Sequence, residues 1–280
     1  MINIKPPSNL EQIGTVSKYE FIKMWKRKRI LTSLLLSIVF PLIILIIIPL
    51  IMIFGYDFRY FGTSFPFLIA PEMLILPMIL VIIPLILATD SLSIEYQNET
   101  GLLLFVQPVH KSIIFLGKYL TCFILNISFI AVIYLITFTS GFFFFNPIIV
   151  FEVIYPLFLS FIIAIMFSTA YLSIIFFLNT LTNRALITSG IMVFLSFIIS
   201  QFIVPIYMPP HISDFGWVIP YFNLPLICQI LININIFETN MMITFSYPDP
   251  DIIISLFVIA FYSIAPFIFT IFWEQRKYLK

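Results

Sequence analysis

Side chains able to do covalent or metal chemistry are few and far apart in this 280-residue chain. The two cysteines, Cys122 and Cys228, and the two histidines, His110 and His211, match no zinc-ligand spacing. Cys122 falls near the start of one apolar run and Cys228 in a segment expected at the opposite face. That separates them by most of a bilayer of about 30 Å and excludes a disulfide between them. The hydrolase signatures H-E-x-x-H and G-x-S-x-G do not occur. Gly117 and Lys118 look like the end of a phosphate loop, but Ser112 stands where its first glycine would have to be and Tyr119 follows the lysine. Phosphate binding needs backbone amides, a lysine and a metal-holding hydroxyl in register. The chain is therefore expected not to be an enzyme and to hold no cofactor or metal of its own.

The charges that remain gather in two places. Lys18 to Ile30 reads as an amphipathic helix, with Phe21, Ile22, Met24 and Trp25 on one broad side and Glu20, Lys23 and Arg27 on the other. Such a helix lies in the membrane interface, and its Lys26, Arg27, Lys28, Arg29 run suits anionic headgroups, either as a topology anchor or as a docking surface. The second place is the stretch from Asp90 to Lys118, far longer than the about two to eight residues usual between bundle helices. Ser91 to Glu99 is expected to form a short acidic helix with Glu95 and Glu99 on one face, closed by Gly101. Leu102 to Val106 would then lie against the membrane, Pro108 would turn the chain, and Ser112 would cap a helix running through Gly117 and Lys118. Taken alone, Glu95 and Glu99 are expected to be solvated charges.

The elements that must position these residues are apolar. With 61% hydrophobic and 10% charged residues and a mean hydropathy of +1.13, the chain belongs in a membrane. Five runs are long enough to span: Leu31 to Phe54, Phe67 to Thr89, Tyr119 to Phe145, Pro156 to Leu178 and Ala185 to Pro205; a sixth covers Ile252 to Trp273. Trp217 to Phe237 is also apolar but carries Pro220, Asn223, Pro225, Gln229, Asn233 and Asn235. Six spans with a cytoplasmic N-terminus place every Lys and Arg except Arg59 in the cytoplasm. Counting Trp217 to Phe237 as a span would expel Arg276, Lys277 and Lys280, so that piece is expected to be a re-entrant pair of short helices entering from outside. About thirty polar and basic residues precede the first run, and no secretory signal peptide is expected. The fold expected is thus an all-α integral membrane protein, 1–280 as one domain, with six transmembrane helices and both termini cytoplasmic.

At the Asp90 to Lys118 stretch the chain resembles the type-2 permeases of ATP-binding-cassette (ABC) exporters. That pattern is an acidic residue closing the second span, a Glu a few residues on, a Thr-Gly pair, a leucine run, Pro-Val with a basic residue, and Gly-Lys opening the third span. Here these are Asp90, Glu95, Thr100 and Gly101, Leu102 to Leu104, Pro108, Val109 and Lys111, and Gly117 with Lys118. The basic interfacial helix, the six-span count and the re-entrant segment also resemble that family. Lys111 stands where the family commonly has Arg, and Tyr96 where it often has a basic residue. The resemblance implies that Asp90, Glu95, Glu99, Thr100, Gly101, Pro108, Lys111 and Lys118 belong to a coupling helix that docks on an ABC ATPase. ATP and Mg would be bound by that separate partner. It also implies pairing with a second permease chain, as homodimer or heterodimer, in the plasma membrane.

Rival readings differ in what the spans must contain. An ion-coupled carrier places charge at mid-membrane, and none of the six runs carries any near its middle. A non-transporting membrane subunit is the other alternative. Nothing suggests nucleic acid as a partner. Apolar spans favour a hydrophobic or amphipathic cargo.

Overall fold

The chain's first element is set by its cap. In a computed structural model that describes residues 8–53, 65–97, 110–144, 147–182, 184–196 and 252–277, helix α1 covers Asn9–Lys26. The Ser8 backbone N–H donates to Glu11 Oε2 at 2.8 Å and the Glu11 N–H to Ser8 Oγ at 3.3 Å, a reciprocal capping box that satisfies two orphan donors. This helix is longer than the Lys18 to Ile30 expected, because the Ser8-x-x-Glu11 start signal lies well upstream. It ends where Lys28 takes a left-handed φ of 59°, a conformation that disfavours a residue with a Cβ. The basic run is therefore also the corner at which the chain turns into α2, Arg29–Ile53.

The remaining elements are α3 (Phe65–Gln97), α4 (Lys111–Phe144), α5 (Pro147–Thr182), α6 (Ala185–Val193) and α7 (Ile252–Lys277). Among the described residues the regular structure is wholly helical. Three stretches are long and apolar enough to cross a bilayer, Lys111–Thr139, Leu157–Thr182 and Ile253–Trp273; Arg29–Ile43, Met78–Ser93 and Ala185–Ser196 are shorter apolar helices. Helices overrun the runs read from hydropathy. The second extends past Thr89 to Gln97 and the third begins at Lys111 instead of Tyr119. A helix satisfies its own backbone hydrogen bonds, so it has no need to stop where the apolar residues stop. Past Val193 the fifth run continues as a π-type turn to residue 196. The rest of that run, the segment from Trp217 to Phe237 with Cys228, His211 and Arg59 all lie outside the described residues.

Helix α5 is the axis of the bundle, packing against α3, α4, α6 and α7. Lipid tails are as apolar as leucine, so close backbone approach and interhelical hydrogen bonds must hold such helices together. Ser160, Ala164 and Ser168 repeat every fourth residue and are all wholly buried, giving α5 one small-residue stripe. Polar ties cross the same core. Asn126 Nδ2 on α4 donates to Ser168 Oγ at 2.6 Å, and Asn179 Nδ2 on α5 donates to the Ala88 carbonyl on α3 at 2.9 Å. The Tyr119 and Ser173 hydroxyls meet at 2.9 Å, and the Tyr119 ring lies 4.3 Å from that of Phe267 on α7. Helix α7 leaves Ile253, Phe257, Phe261 and Phe269 exposed, as suits a lipid-facing helix.

Helix α1 is bolted to α4 at a glycine. A Cβ on Gly117 would stand 2.8 Å from Val16 Cβ, 2.7 Å from Val16 Cγ1 and 3.2 Å from the Ile13 carbonyl oxygen. Ser17 Oγ donates to the Gly117 carbonyl at 2.9 Å, and Thr121 Oγ1 returns a hydrogen bond to the Ser17 carbonyl at 3.1 Å. Gly117→Ala is predicted to force α1 off α4 and destabilise the purified chain by about 1–3 kcal/mol, an ordinary overpacking cost. Val16→Ala in the same chain should recover part of the loss. Thermal melts in detergent followed by size exclusion measure both, and an unchanged midpoint in Gly117→Ala would sink the idea.

Candidate functional site

The ends of α3 and α4 that flank residues 98–109 meet α1 in a cluster of four charges. Glu95 lies on the last turns of α3, and both its carboxylate oxygens are engaged. Oε1 accepts from Lys23 Nζ of α1 at 3.0 Å, and Oε2 accepts from Lys118 Nζ of α4. Lys118 also donates to the Ser91 carbonyl at 3.0 Å. Glu20 of α1 completes the group, accepting from Ser91 Oγ at 3.0 Å and facing Lys23 Nζ at 3.4 Å. Two carboxylates and two ammoniums cancel in net charge. Beside them Arg29, the first residue of α2, pairs with Asp90 and donates through Nη1 to the Ile86 carbonyl at 2.6 Å.

Burial is what separates this cluster from a surface ion pair. Only 12% of the Glu95 side chain and 3% of the Lys118 side chain remain accessible. Each charge must therefore be offset by its partners, and removing one leaves the others stranded. Burial by itself would raise the Glu95 carboxyl above its ordinary value. The ammonium groups of Lys118 and Lys23, with their hydrogen bonds, outweigh that and hold it below.

Several sequence expectations change here. Glu95 was expected as a solvated charge on a separate acidic helix closed by Gly101. Instead Ser91 to Glu95 belong to the unbroken α3, and Glu95 is enclosed by two lysines. Ser112 is not the cap of the next helix. Helix α4 begins at Lys111, and His110 precedes it, its Nδ1 accepting the Ser112 N–H at 3.3 Å. On α1 the wheel grouped Glu20, Lys23 and Arg27 as the outward polar side and Met24 with the apolar side. Glu20 and Met24 are buried and Lys23 is largely so, while Phe21, Ile22, Trp25 and Arg27 are exposed. The polar face turned inward because Glu95, Lys118 and Ser91 offer it better partners than water, and the aromatic face was left outside, with Phe21 and Trp25 stacked at 6.4 Å.

Of the residues singled out from the sequence, Asp90, Glu95 and Lys118 come together at this end of the bundle, and Lys111 starts α4 nearby in the chain. Glu99, Thr100, Gly101 and Pro108 lie outside the described residues. Glu20, Lys23, Arg29 and Ser91 are members that sequence reasoning missed. Their one signal was the helical spacing of Glu20 and Lys23 opposite an aromatic face, which reads equally well as solvent exposure.

Two outcomes are predicted. Glu95→Lys, which replaces the shared anion with a third cation, should lower membrane abundance several-fold, and Glu95→Gln should lower it less; quantitative blotting of membranes measures both. Because the folded Glu95 carboxyl titrates below its unfolded value, its contribution is full above the ordinary carboxyl range near pH 4.3 and is lost as pH falls through the depressed value. Melting points recorded from pH 5 down to about pH 2 should fall less steeply for Glu95→Gln than for the native chain. Equal slopes would remove Glu95 from the acid response.

The family model for ABC-2 family transporter proteins matches residues 17–200, about two thirds of the chain. That range holds every member of the charge cluster, from Glu20 to Lys118. No curated protein matches the chain. An ordered Asp90-to-Lys118 pattern, apolar helices of spanning length and a family match over most of the chain lead to one assignment: this membrane protein belongs to the ABC-2 family of transporter proteins.

Proposed function

We propose that this chain is the permease subunit of an ATP-driven exporter, forming the transmembrane pathway and taking its motion from a separate ABC ATPase that binds ATP and Mg. The observation that carries the reading is the charge cluster. It joins both helices flanking residues 98–109 to each other and to α1. A segment that receives a push from an ATPase transmits it only if its two ends are fixed to the spans, and Glu95, Lys118 and Lys23 supply that fixation. Glu99, Thr100, Gly101 and Pro108 are then the contact residues, with Lys111 at the base, whereas Asp90, Glu95 and Lys118 hold the base rigid. Family membership supports the transport role.

The same reading has six spans, cytoplasmic termini, a plasma-membrane location, and a second permease chain completing the pathway. The exposed Phe21, Ile22 and Trp25, next to Lys26, Arg27 and Lys28, suit a helix seated at the lipid headgroups.

The test is copurification with a Walker-motif ATPase, combined with cross-linking from a cysteine at Asn98 or Glu99. Nucleotide hydrolysis should appear only with the partner present, and the cross-link should trap it. Reconstituted chain that moved a solute down an ion gradient with no ATPase would replace the permease with a carrier. Topology is tested separately: cysteines at Ser213 and Asp249 should react with an impermeant thiol reagent added outside, and one at Lys277 should not.

A further inference from the structure

Pro84 lies within α3, four residues after Leu80, and a proline has no N–H to give the carbonyl four residues back. The Leu80 carbonyl thus lacks its helix donor in the apolar core, where water cannot replace it. A side chain from another helix fills the gap. The Ser168 hydroxyl on α5 lies 3.2 Å from the Leu80 carbonyl oxygen. Asn126 on α4 brackets that same hydroxyl, with Nδ2 at 2.6 Å and Oδ1 at 3.0 Å. Leu80, Asn126 and Ser168 are all wholly buried.

Ser168 has one hydroxyl proton and two acceptors within reach, the Leu80 carbonyl and Asn126 Oδ1. The Asn126 amide supplies a donor to the Ser168 oxygen whichever acceptor is taken. The bond to α3 can therefore open without stranding the hydroxyl, so only the Leu80 carbonyl loses a partner. On the other side of Pro84 no such freedom exists. Arg29 holds the Ile86 carbonyl, Asn179 the Ala88 carbonyl and Lys118 the Ser91 carbonyl, each from a different helix, and Glu95 is clamped by two lysines. The helix thus passes from a turn fastened by one switchable side chain to a segment fastened at almost every turn.

We propose that the Leu80–Pro84 turn is the joint through which α3 passes motion of its charged end into the membrane, with Ser168, oriented by Asn126, as the positioning residue that latches it. The role in transport rests on the permease reading; the latch itself does not. Ser168→Ala, Pro84→Ala and the double variant of the full chain test the latch. Pro84→Ala restores the N–H that the Leu80 carbonyl lacks. The fall in melting point caused by Ser168→Ala, expected at about 2–6 °C for a chain of this size, should therefore be smaller when Pro84→Ala is already present, the part due to Asn126 losing its partner staying the same in both backgrounds. Equal losses in the two backgrounds overturn the latch.

For the joint, spin labels at Leu68 near the start of α3 and Ile154 near the start of α5 report distance in the complex with the ATPase, with and without Mg-ATP and vanadate. The native chain should show a nucleotide-dependent shift and Pro84→Ala should lose at least half of it while still binding the ATPase. A full shift in Pro84→Ala overturns the joint. No associated ATPase, or no shift in the native chain, overturns the permease reading and the joint with it, whatever the melting-point cycle shows.

Discussion

Glu95 gives one carboxylate oxygen to Lys118 and the other to Lys23, and that divided bond ties three helices into one body. Lys118 depends on it most, since an ammonium with 3% of its side chain exposed cannot rely on water, whereas Lys23 also has Glu20 beside it. The position of α1 follows from the same bond. Glu20 reaches Ser91 because Lys23 reaches Glu95 three residues further along the helix. With its charged face committed to the bundle, α1 turns Phe21, Ile22 and Trp25 outward. One ionic decision therefore sets both how the flanks of residues 98–109 are joined and which face of the N-terminal helix is exposed.

A second constraint comes from the bilayer itself, which leaves no backbone group to be satisfied by water. Helix α3 collects donors from α2, α4 and α5 along its carbonyls: Arg29, Lys118, Asn179 and Ser168. Such bonds cannot gain much over the partners that separated helices would find in lipid, so they hold register more than they add stability. Close packing at Ser160, Ala164, Ser168 and Gly117 provides the intimacy that those bonds require. The charged end and the apolar core thus share one feature: the carbonyls of Leu80, Ile86, Ala88 and Ser91 on α3 accept from side chains of other helices.

How much of this was legible beforehand depended on whether the signal was local. Apolar runs of spanning length, the cluster of basic residues before the first of them, and the ordered Asp90, Glu95, Gly117 and Lys118 pattern are all visible in a single strand of text, and the family match agrees with them. Helix ends were read less well. Hydropathy marks where a chain can leave the bilayer, yet α3 runs on to Gln97 and α4 begins at Lys111 because an α-helix carries its hydrogen bonds with it. The Ser8-x-x-Glu11 box was legible in principle, being a contact between residues three apart.

By itself the sequence determined that this is a helical membrane protein, which composition and periodicity decide within a few turns of chain, and its ordered Asp90-to-Lys118 pattern carried the resemblance to the ABC-2 family that the family match shows. Only the tertiary structure decided which charges are buried. Glu95 and Lys118 are separated by 23 residues, and Glu95 and Lys23 by 72, so nothing in their neighbourhoods tells a shared buried carboxylate from a solvated one. The same holds for Pro84. A missing N–H is plain in the sequence, but which distant hydroxyl replaces it depends on α5 lying against α3, and that is a matter of packing.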